Sequence, residues 1–316
     1  MSLRNVVVVM NGSAGRASSD AGDEATIIEQ AFADENVRAT LVTLRPQEMA
    51  EKIGLYWTDD PRPDAVVVAG GDGTINCAAN AVAGTDVVLG VLPTGTFNHF
   101  AKDIGMPVEL EAAVRALAGA RPDHLDVGEV NGRVFVNNSV LGVYPEMVAI
   151  RDRLRSRHGW GKLRAVPVAA FAVLRTFPTH RVDITAPGGV VKRRLRTPLV
   201  FVGNGIFDHS GRGLPSRSSL RGGRLGAGVA ATTGRFGLFR AAMRSLRKGQ
   251  PEDTAVDLVE LAELTVTANV SRMKVALDGE VVDLKLPLRY RSRPGALRVL
   301  VPVTPDATAD QGPTDG

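Results

Sequence analysis

The run Gly70-Gly71-Asp72-Gly73-Thr74 is the part of the sequence best suited to bind an anion. A β-branched run at residues 66–69 precedes it, and residues 75–83 have the composition of a helix. A strand, a glycine turn and a helix start place backbone N–H groups at the positive end of a helix dipole, where a phosphate group can bind. Glycine also leaves no Cβ atom between the backbone and the phosphate. Parallel-sheet proteins also use glycine pairs merely to connect a strand to a helix, so the run alone leaves both interpretations open.

A second loop, Pro93-Thr94-Gly95-Thr96-Phe97-Asn98, follows the next predicted strand at residues 87–91. Its hydroxyl and amide side chains can donate hydrogen bonds to a phosphate or a ribose. The alternative is a turn in which these side chains stabilise their own backbone. We favour contact with a nucleotide, because this loop is expected to lie beside the glycine run.

Two common phosphate-binding motifs do not match the glycine run. A Walker loop needs Lys followed by Ser or Thr after its last glycine, whereas Thr74 and Ile75 follow Gly73. A dinucleotide-binding motif needs a third Gly or Ala, and an acid at the end of the next strand. Here position 76 is Asn, and the next strand is followed by Leu92-Pro93. The run therefore belongs to neither class.

Four carboxylates could serve as a general base, which accepts a proton from a reacting group. They are Asp72, Asp126, Asp278 and Glu280. Asp278-Gly279 lies between two apolar runs, so on the residues alone a hairpin turn is the favoured interpretation. Asp126 could likewise be a residue at the start of a strand that bonds local backbone.

The elements that must position these residues change along the chain. Through residue 118, strands alternate with helices, which predicts a doubly wound α/β domain with its ligand at the carboxyl ends of the strands. Asn11, Thr43, the glycine run and the second loop all fall at such ends. From residue 125 onward, strand pairs joined by turn residues such as Asn131-Gly132 predict an antiparallel β-sandwich or half-barrel. Helical stretches are expected within it at residues 146–157, 162–176 and 238–247.

The glycine run with Asn76, together with the loop at residues 93–98, resembles the catalytic domain shared by diacylglycerol kinases, sphingosine kinases and bacterial soluble lipid kinases. The resemblance extends to about residue 301. It implies an α/β nucleotide-binding domain at residues 1–124, completed by residues 292–303. It also implies a mainly antiparallel β-sandwich at residues 125–291 that binds the lipid, with the active site in the cleft between the domains. Residues 304–316 are polar and are expected to be disordered.

The resemblance further implies ATP as the phosphate donor, Mg²⁺ as its metal ion and a lipid hydroxyl as the acceptor. The residues that would hold or border the nucleotide are Asn11, Thr43, Gly70, Gly71, Asp72, Gly73, Thr74, Asn76, Thr94, Gly95, Thr96 and Asn98. In this family a D-G-E motif faces the glycine run, which makes Asp278 or Glu280 the candidate base. Asp126 would orient Mg²⁺ or the base.

Three positions depart from the pattern of the family. Gly12 stands in place of a proline in the first loop, and His99 stands in place of an aspartate after Asn98, where it could face a phosphate. Gly222 stands where the family carries the aspartate of a structural metal site. A divalent ion with oxygen ligands is not expected without that carboxylate, so we predict that this second metal is absent or differently bound.

The composition of the chain indicates where in the cell the protein is expected. Of the 316 residues, 38 are Lys or Arg and 34 are Asp or Glu, which is a mildly basic balance. No apolar stretch is long enough to span a membrane, and the N-terminus lacks the pattern of a signal peptide. The single cysteine, Cys77, suits a reducing compartment. We therefore expect a cytoplasmic protein that associates peripherally with a membrane.

Basic residues of the second domain cluster at residues 151–157, 192–196 and 240–248. Each cluster alone could be a solvated face, but with a lipid substrate they predict docking on anionic lipid headgroups. Nucleic acid is not an expected partner, because aromatic residues that could stack on bases are few. The sequence leaves open whether the protein forms a homodimer.

Two other functions stay open as well. A soluble nucleotide kinase like NAD kinase shares the glycine run, but the loop at residues 93–98 and the basic second domain count against it. A lipid- or nucleotide-binding regulator that has lost catalysis would fit the departures at His99 and Gly222. The intact glycine run and the D-G-E motif argue for an enzyme.

Overall fold

The structure is a computed structural model. It describes residues 3–12, 18–58, 60–142, 145, 148, 180–187, 189–208, 216–229 and 259–303. Outside these ranges lie the expected helix at residues 146–157 except for Val148, the helices expected at residues 162–176 and 238–247, most of the basic clusters, and the segment 304–316.

The chain divides into two compact units. One consists of Met1–Asp123 with the stretch from Arg298 onward, and the other of His124–Leu297. No helix in the described part of the chain is long and apolar enough to cross a membrane.

The first unit is built on a parallel sheet. Its strands are β1 (Asn5–Asn11), β2 (Arg38–Leu44), β3 (Ala65–Gly70) and β4 (Leu89–Pro93), in the spatial order β2-β1-β3-β4. The end of the last strand of the chain runs parallel to β4, with Val299 opposite Leu89. Strands β1 and β3 are runs of buried valine, as expected for strands covered on both faces. The α/β fold predicted from sequence is confirmed.

The helices of this unit are α1 (Ser18–Asp34), α2 (Pro46–Lys52), α3 (Asp72–Val82), α4 (His99–Asp103) and α5 (Leu110–Ala118). Helix α3 begins at Asp72 rather than after Thr74, because the extended residue Gly71 serves as its N-cap. Helix α2 is followed by a 3-10 helix, Leu55–Thr58. Gly54, a poor helix former, lies between the two.

The second unit is an antiparallel β-sandwich, as predicted. Its strands are β5 (Arg121–Val130), β6 (Arg133–Phe135), β7 (Asn138–Gly142), β8 (His180–Ala186), β9 (Gly189–Thr197), β10 (Leu199–Asn204), β11 (Ile206–Asp208), β12 (Ser216–Ser219), β13 (Leu225–Val229), β14 (Val259–Leu261), β15 (Glu263–Ala268), β16 (Arg272–Leu277), β17 (Glu280–Lys285) and β18 (Leu288–Val301). One sheet has the order β14-β13-β10-β7-β16-β17, and the other places β18, β15, β8 and β9 side by side. The predicted hairpin at Asn131-Gly132 is present between β5 and β6.

The inner faces of the two sheets share one hydrophobic core. Val202 and Val275 of the six-stranded sheet belong to the same buried cluster as Val266 and Leu288 of the other sheet. One polar contact crosses this core, because the buried hydroxyls of Ser139 on β7 and Tyr290 on β18 lie 2.9 Å apart. Burial raises the pKa of Tyr290 well above its usual range, so the phenol stays protonated.

Candidate functional site

In the first unit, the two glycine loops meet backbone to backbone. A Cβ atom added to Gly95 would overlap the Cα atom of Gly71, and one added to Gly71 would lie 3.2 Å from the Cα atom of Gly95. The backbone N–H of Thr94 also donates a hydrogen bond to the carbonyl of Gly70, at 3.3 Å. The expected adjacency of the two loops is confirmed, and it requires glycine at position 95, where a side chain would overlap the backbone of Gly71.

The first turn of α3 faces this loop junction. Its N-cap residue is Gly71, which has no side chain to cap the helix, and the first intrahelical bond runs from the N–H of Ile75 to the carbonyl of Gly71. Helix geometry leaves the N–H groups of Gly73 and Thr74 without an intrahelical acceptor. Together with the helix dipole, these groups form an arrangement that can bind a phosphate.

Asn11 and Thr74 are brought together at the carboxyl end of the sheet. The Asn11 side-chain amide donates a hydrogen bond of 2.9 Å to the hydroxyl of the buried Thr74. A Cβ atom at Gly70 would lie 2.6 Å from the Thr74 methyl group, so the turn needs glycine there as well. Thr43 lies one strand away, exposed, with its methyl group beside Gly12.

Asn98 holds the second loop in shape. Its side-chain oxygen accepts from the N–H of Gly95 at 3.0 Å, and its amide group donates to the carbonyls of Pro93 and Gly95 at 3.3 and 3.0 Å. The residue is buried and adopts a positive φ of 53°. These bonds match the alternative in which a turn stabilises its own backbone, so we assign Asn98 to positioning. Thr96 in the same loop is exposed and open to a ligand.

Asp72 connects the glycine run to α4. One of its carboxylate oxygens accepts a hydrogen bond of 3.2 Å from the backbone N–H of Phe100. Asn76 lies further along α3, buried, and its carbonyl and side-chain oxygens accept from the side chain of Asn80. The structure therefore brings Asp72 to the loops, whereas Asn76 bonds to Asn80, one turn further along the same helix.

An aromatic pair lies beside the loops, and the sequence analysis considered only its histidine as a possible ligand-facing residue. The rings of Phe97 and His99 stack with centroids 5.7 Å apart and planes inclined by 10°. Phe97 is 66% exposed, which is unusual for an aromatic side chain next to a buried turn. The sequence did contain a signal for Phe97. It is a phenylalanine within a polar loop, and the α/β pattern gives a phenylalanine at that place no packing role.

In the second unit, the D-G-E motif is the hairpin turn between β16 and β17, with Leu277 opposite Glu280. Asp278 does more than turn the chain. Its carboxylate accepts three backbone hydrogen bonds of 2.8 Å, from Val136, Asn137 and Asn138. This carboxylate therefore organises the segment 136–138.

Glu280, on the other side of the same turn, has a different environment. The residue is exposed as a whole, but partial burial of its carboxyl group raises the pKa of Glu280 above its ordinary value, while the Arg133 guanidinium acts in the opposite direction. A raised pKa is what a carboxylate needs to accept a proton. Of the two acids of the motif, Glu280 has the more suitable environment for a base.

Two further residues bind the backbone carbonyl groups of segment 136–138, and sequence reasoning did not identify them. The Arg217 guanidinium donates to the carbonyls of Val136 and Asn137 at 3.0 and 3.2 Å. The fully buried Asn204 donates to the carbonyl of Val136 at 3.2 Å. Their partners are more than 60 residues away in sequence, so no local pattern could have identified them.

Asp126 has partners other than those expected of a metal ligand. It is buried, and its two carboxylate oxygens accept backbone hydrogen bonds of 2.6 Å from Gly223 and 2.8 Å from Gly295. We assign it to fixing these two glycine turns, which are distant in sequence rather than local.

The described residues do not fit a protein-held metal. The turn at residues 219–225 carries no carboxylate. Its Gly223 N–H already faces Asp126. Among the residues that the structure covers, no group of three or more His, Cys, Asp or Glu could hold a metal ion.

Comparison with known proteins agrees with this architecture. A family model described as the diacylglycerol kinase catalytic domain matches residues 5–130, and one described as the YegS C-terminal NAD kinase beta sandwich-like domain matches residues 138–301. A crystal structure of a diacylglycerol kinase from Bacillus anthracis has the same fold, with a TM-score of 0.71 and 22% identity over 95% of this chain and 98% of that one.

Curated relatives carry related names. A diacylglycerol kinase of Bacillus subtilis is 31% identical over 224 residues, which are 69% of this chain and 71% of the relative. A probable YegS-like lipid kinase of Pseudomonas aeruginosa is 28% identical over 296 residues, which are 85% of this chain and 90% of the relative. The chain therefore belongs to the family of diacylglycerol kinases and YegS-like lipid kinases.

Proposed function

We propose that this protein is an ATP-dependent kinase that phosphorylates a hydroxyl group of a membrane lipid, with diacylglycerol or a related lipid as acceptor. The observation that carries the proposal is the contact of Gly71 with Gly95 at the start of α3. It brings the second loop beside the first turn of α3, whose backbone N–H groups are suited to bind a phosphate. Family membership supports the choice of a lipid as acceptor.

The first unit would bind the phosphates of ATP. The N–H groups of Gly73 and Thr74 are suited to hold phosphate oxygens, and the exposed hydroxyl of Thr96 can add a side-chain donor. Asn11, Asn98 and Asp72 keep these donors in place through the bonds described above. Positioning of this kind is the main protein contribution to phosphoryl transfer.

The second unit would supply the proton acceptor. We propose Glu280 as the base that takes the hydroxyl proton of the lipid, because burial raises its pKa. Asp278 would position the turn that carries it, through the three backbone bonds to segment 136–138. We also propose peripheral attachment to the membrane, since the substrate resides there.

The test is an acceptor screen with the purified chain, labelled ATP and mixed micelles that contain diacylglycerol, a sphingoid base or phosphatidylglycerol. Thin-layer chromatography should show one labelled lipid product. Parallel reactions with NAD as the acceptor test the alternative of a soluble nucleotide kinase. Labelled NADP without a labelled lipid would replace the proposal with a soluble nucleotide kinase, and no labelled product from any acceptor would favour a non-catalytic regulator.

A further inference from the structure

A groove of about 760 Å³ lies wholly within the second unit. Its lining includes residues of strands β15 and β18, of the turn after β8 and of the turn between β17 and β18. Three cationic side chains line it: Lys285, Arg289 and Arg291. We refer to it as the basic groove.

Arg291 is already neutralised. Its guanidinium contacts the buried carboxylate of Glu129 at 2.8 Å, and Arg293 reaches the other oxygen of that carboxylate at 3.4 Å. Glu129 is therefore an acid with two cationic partners, and it contributes little net negative charge to the groove. Glu263, the other acid that lines the groove, is exposed and lies opposite Arg291 in the strand register, so three lining cations face two lining acids.

Lys285 and Arg289 are the two lining cations that, unlike Arg291, have no acidic partner within the described part of the chain. Both are exposed. Gathering unpaired like charges in one concave surface raises the local positive potential and attracts anions. The hydroxyls of Thr185 and Thr265 also line the groove and can donate hydrogen bonds to the same anion.

The backbone that carries these two cations is fixed by one side chain. The amide group of Asn131 donates to the carbonyls of Lys285 and Pro287 at 2.8 and 3.2 Å, and its oxygen accepts from the N–H of Arg289 at 2.8 Å. The N–H of Asn131 in turn donates to the carbonyl of Arg289 at 3.2 Å. Lys285 and Arg289 therefore project from a turn whose geometry is set in advance, which lowers the ordering cost of binding.

We propose that the basic groove binds the phosphate group of an anionic lipid headgroup, held by Lys285 and Arg289. Guanidinium and ammonium groups both recognise phosphate, and threonine hydroxyls can satisfy its remaining oxygens. The choice of a lipid as carrier of the phosphate rests on the proposed function, whereas the phosphate chemistry rests on the groove itself.

Vesicle binding of the full chain tests the proposal without ATP, so that its outcome is independent of turnover. The double variant Lys285→Gln/Arg289→Gln is compared with Arg38→Gln, which removes an exposed cation on β2 that is likewise without an ion pair among described residues. Partitioning is measured on phosphatidylcholine vesicles with and without phosphatidylglycerol. Each cation near an anionic surface strengthens binding about fivefold, so the double variant should bind the anionic vesicles about 25-fold more weakly. Arg38→Gln should bind them as the wild type does.

A second arm uses soluble glycerol phosphate, with binding measured by calorimetry. If the double variant keeps wild-type affinity for anionic vesicles, the proposal is wrong. If it loses affinity for glycerol phosphate but not for vesicles, the groove binds a free phosphate ester, and the headgroup assignment is overturned. A wild type that binds anionic vesicles through these two residues but phosphorylates no lipid would contradict the proposed function and leave the groove assignment intact.

Discussion

The side-chain amide of Asn11 donates a 2.9 Å hydrogen bond to the hydroxyl of Thr74, and it ties the end of β1 to the first turn of α3. Because Thr74 is buried, this bond fixes the start of the helix relative to the sheet. The N–H groups proposed to bind phosphate lie in the same turn.

Thr74→Val removes this bond while keeping the shape of the side chain. We expect a loss of about 1 kcal/mol in the free energy of unfolding, since one buried hydrogen bond is lost and Asn11 keeps a half-exposed amide. ATP should bind more weakly because the first turn of α3 is less well held. Urea unfolding and an ATP titration measure the two effects. An unchanged ATP dissociation constant would separate Thr74 from the nucleotide site.

Asp72→Ala should abolish kinase activity without unfolding the protein. The carboxylate is only partly buried, and its bond of 3.2 Å to the N–H of Phe100 joins the glycine run to α4. Asp72→Asn keeps an acceptor for that bond but removes the charge, so it separates loop positioning from electrostatics. Turnover and the thermal midpoint of both variants show whether activity depends on the charge of Asp72 or on its hydrogen bond. Wild-type turnover by a folded Asp72→Ala protein would exclude Asp72 from the site.

Glu280→Gln should lower kcat by about 10²–10⁴-fold if Glu280 accepts the hydroxyl proton. Because burial raises its pKa above the ordinary value of 4.5, the wild-type kcat should rise with pH over a range above that value. The variant should lack this rise. Equal kcat and pH profiles in the two proteins would move the base to another acid, with Asp278 first in line.

The same pKa shift predicts the effect of Glu280 on stability. A carboxyl group with a raised pKa in the folded state binds its proton more tightly there than in the unfolded chain. Wild-type stability should therefore fall as the pH rises through this range, and Glu280→Gln should not lower the thermal midpoint at neutral pH. A large drop in the midpoint would indicate a structural role.

Unlike Glu280→Gln, Asp278→Asn should lower the stability of the protein. An isolated hairpin turn would tolerate this change, since Asn-Gly suits the position as well as Asp-Gly. The structure predicts a loss of about 1–3 kcal/mol instead, because the new amide group would face backbone N–H donors of segment 136–138. Asp283→Asn, an exposed acid on the adjacent strand, is the matched control for denaturant unfolding. Equal stability of the two variants would return Asp278 to a simple turn residue.

Tyr290→Phe should destabilise the second unit by about 1–2 kcal/mol, because it leaves the buried Ser139 hydroxyl without its partner. The double variant Ser139→Ala/Tyr290→Phe removes both groups and should recover part of this loss. Thermal and urea unfolding of both variants provide the measurement. A double variant less stable than Tyr290→Phe would contradict the account of this contact.

Local pattern was sufficient to predict the architecture and the location of the loops. Valine runs identified β1 and β3, and Asn131-Gly132 identified a hairpin, because their conformations depend on neighbouring residues. The roles of Asp126 and Asp278 could not be predicted in the same way. Their carboxylates bind backbone N–H groups about 97 to 169 and 140 to 142 residues away, respectively, and no periodicity encodes such pairings.

The predicted helix at residues 75–83 starts three residues later than α3, which begins at Asp72, and the reason is related. Glycine has low helix propensity, so Asp72 and Gly73 were assigned to the turn. In the structure, extended Gly71 caps the helix and both residues form its first turn. The close approach of Gly71 to Gly95 favours this arrangement, and it is a tertiary contact that neither loop reveals alone.

The most direct test of the central claim compares Gly95→Ala with Gly54→Ala in the lipid kinase assay. A methyl group at Gly95 overlaps the backbone of Gly71, whereas one at Gly54 meets nothing within 4 Å. If the junction of the two loops positions ATP for transfer to a lipid, Gly95→Ala should lose about 100-fold in kcat, and Gly54→Ala should match the wild type. Equal lipid phosphorylation by two folded variants would contradict the assignment of this junction as the phosphate-binding site.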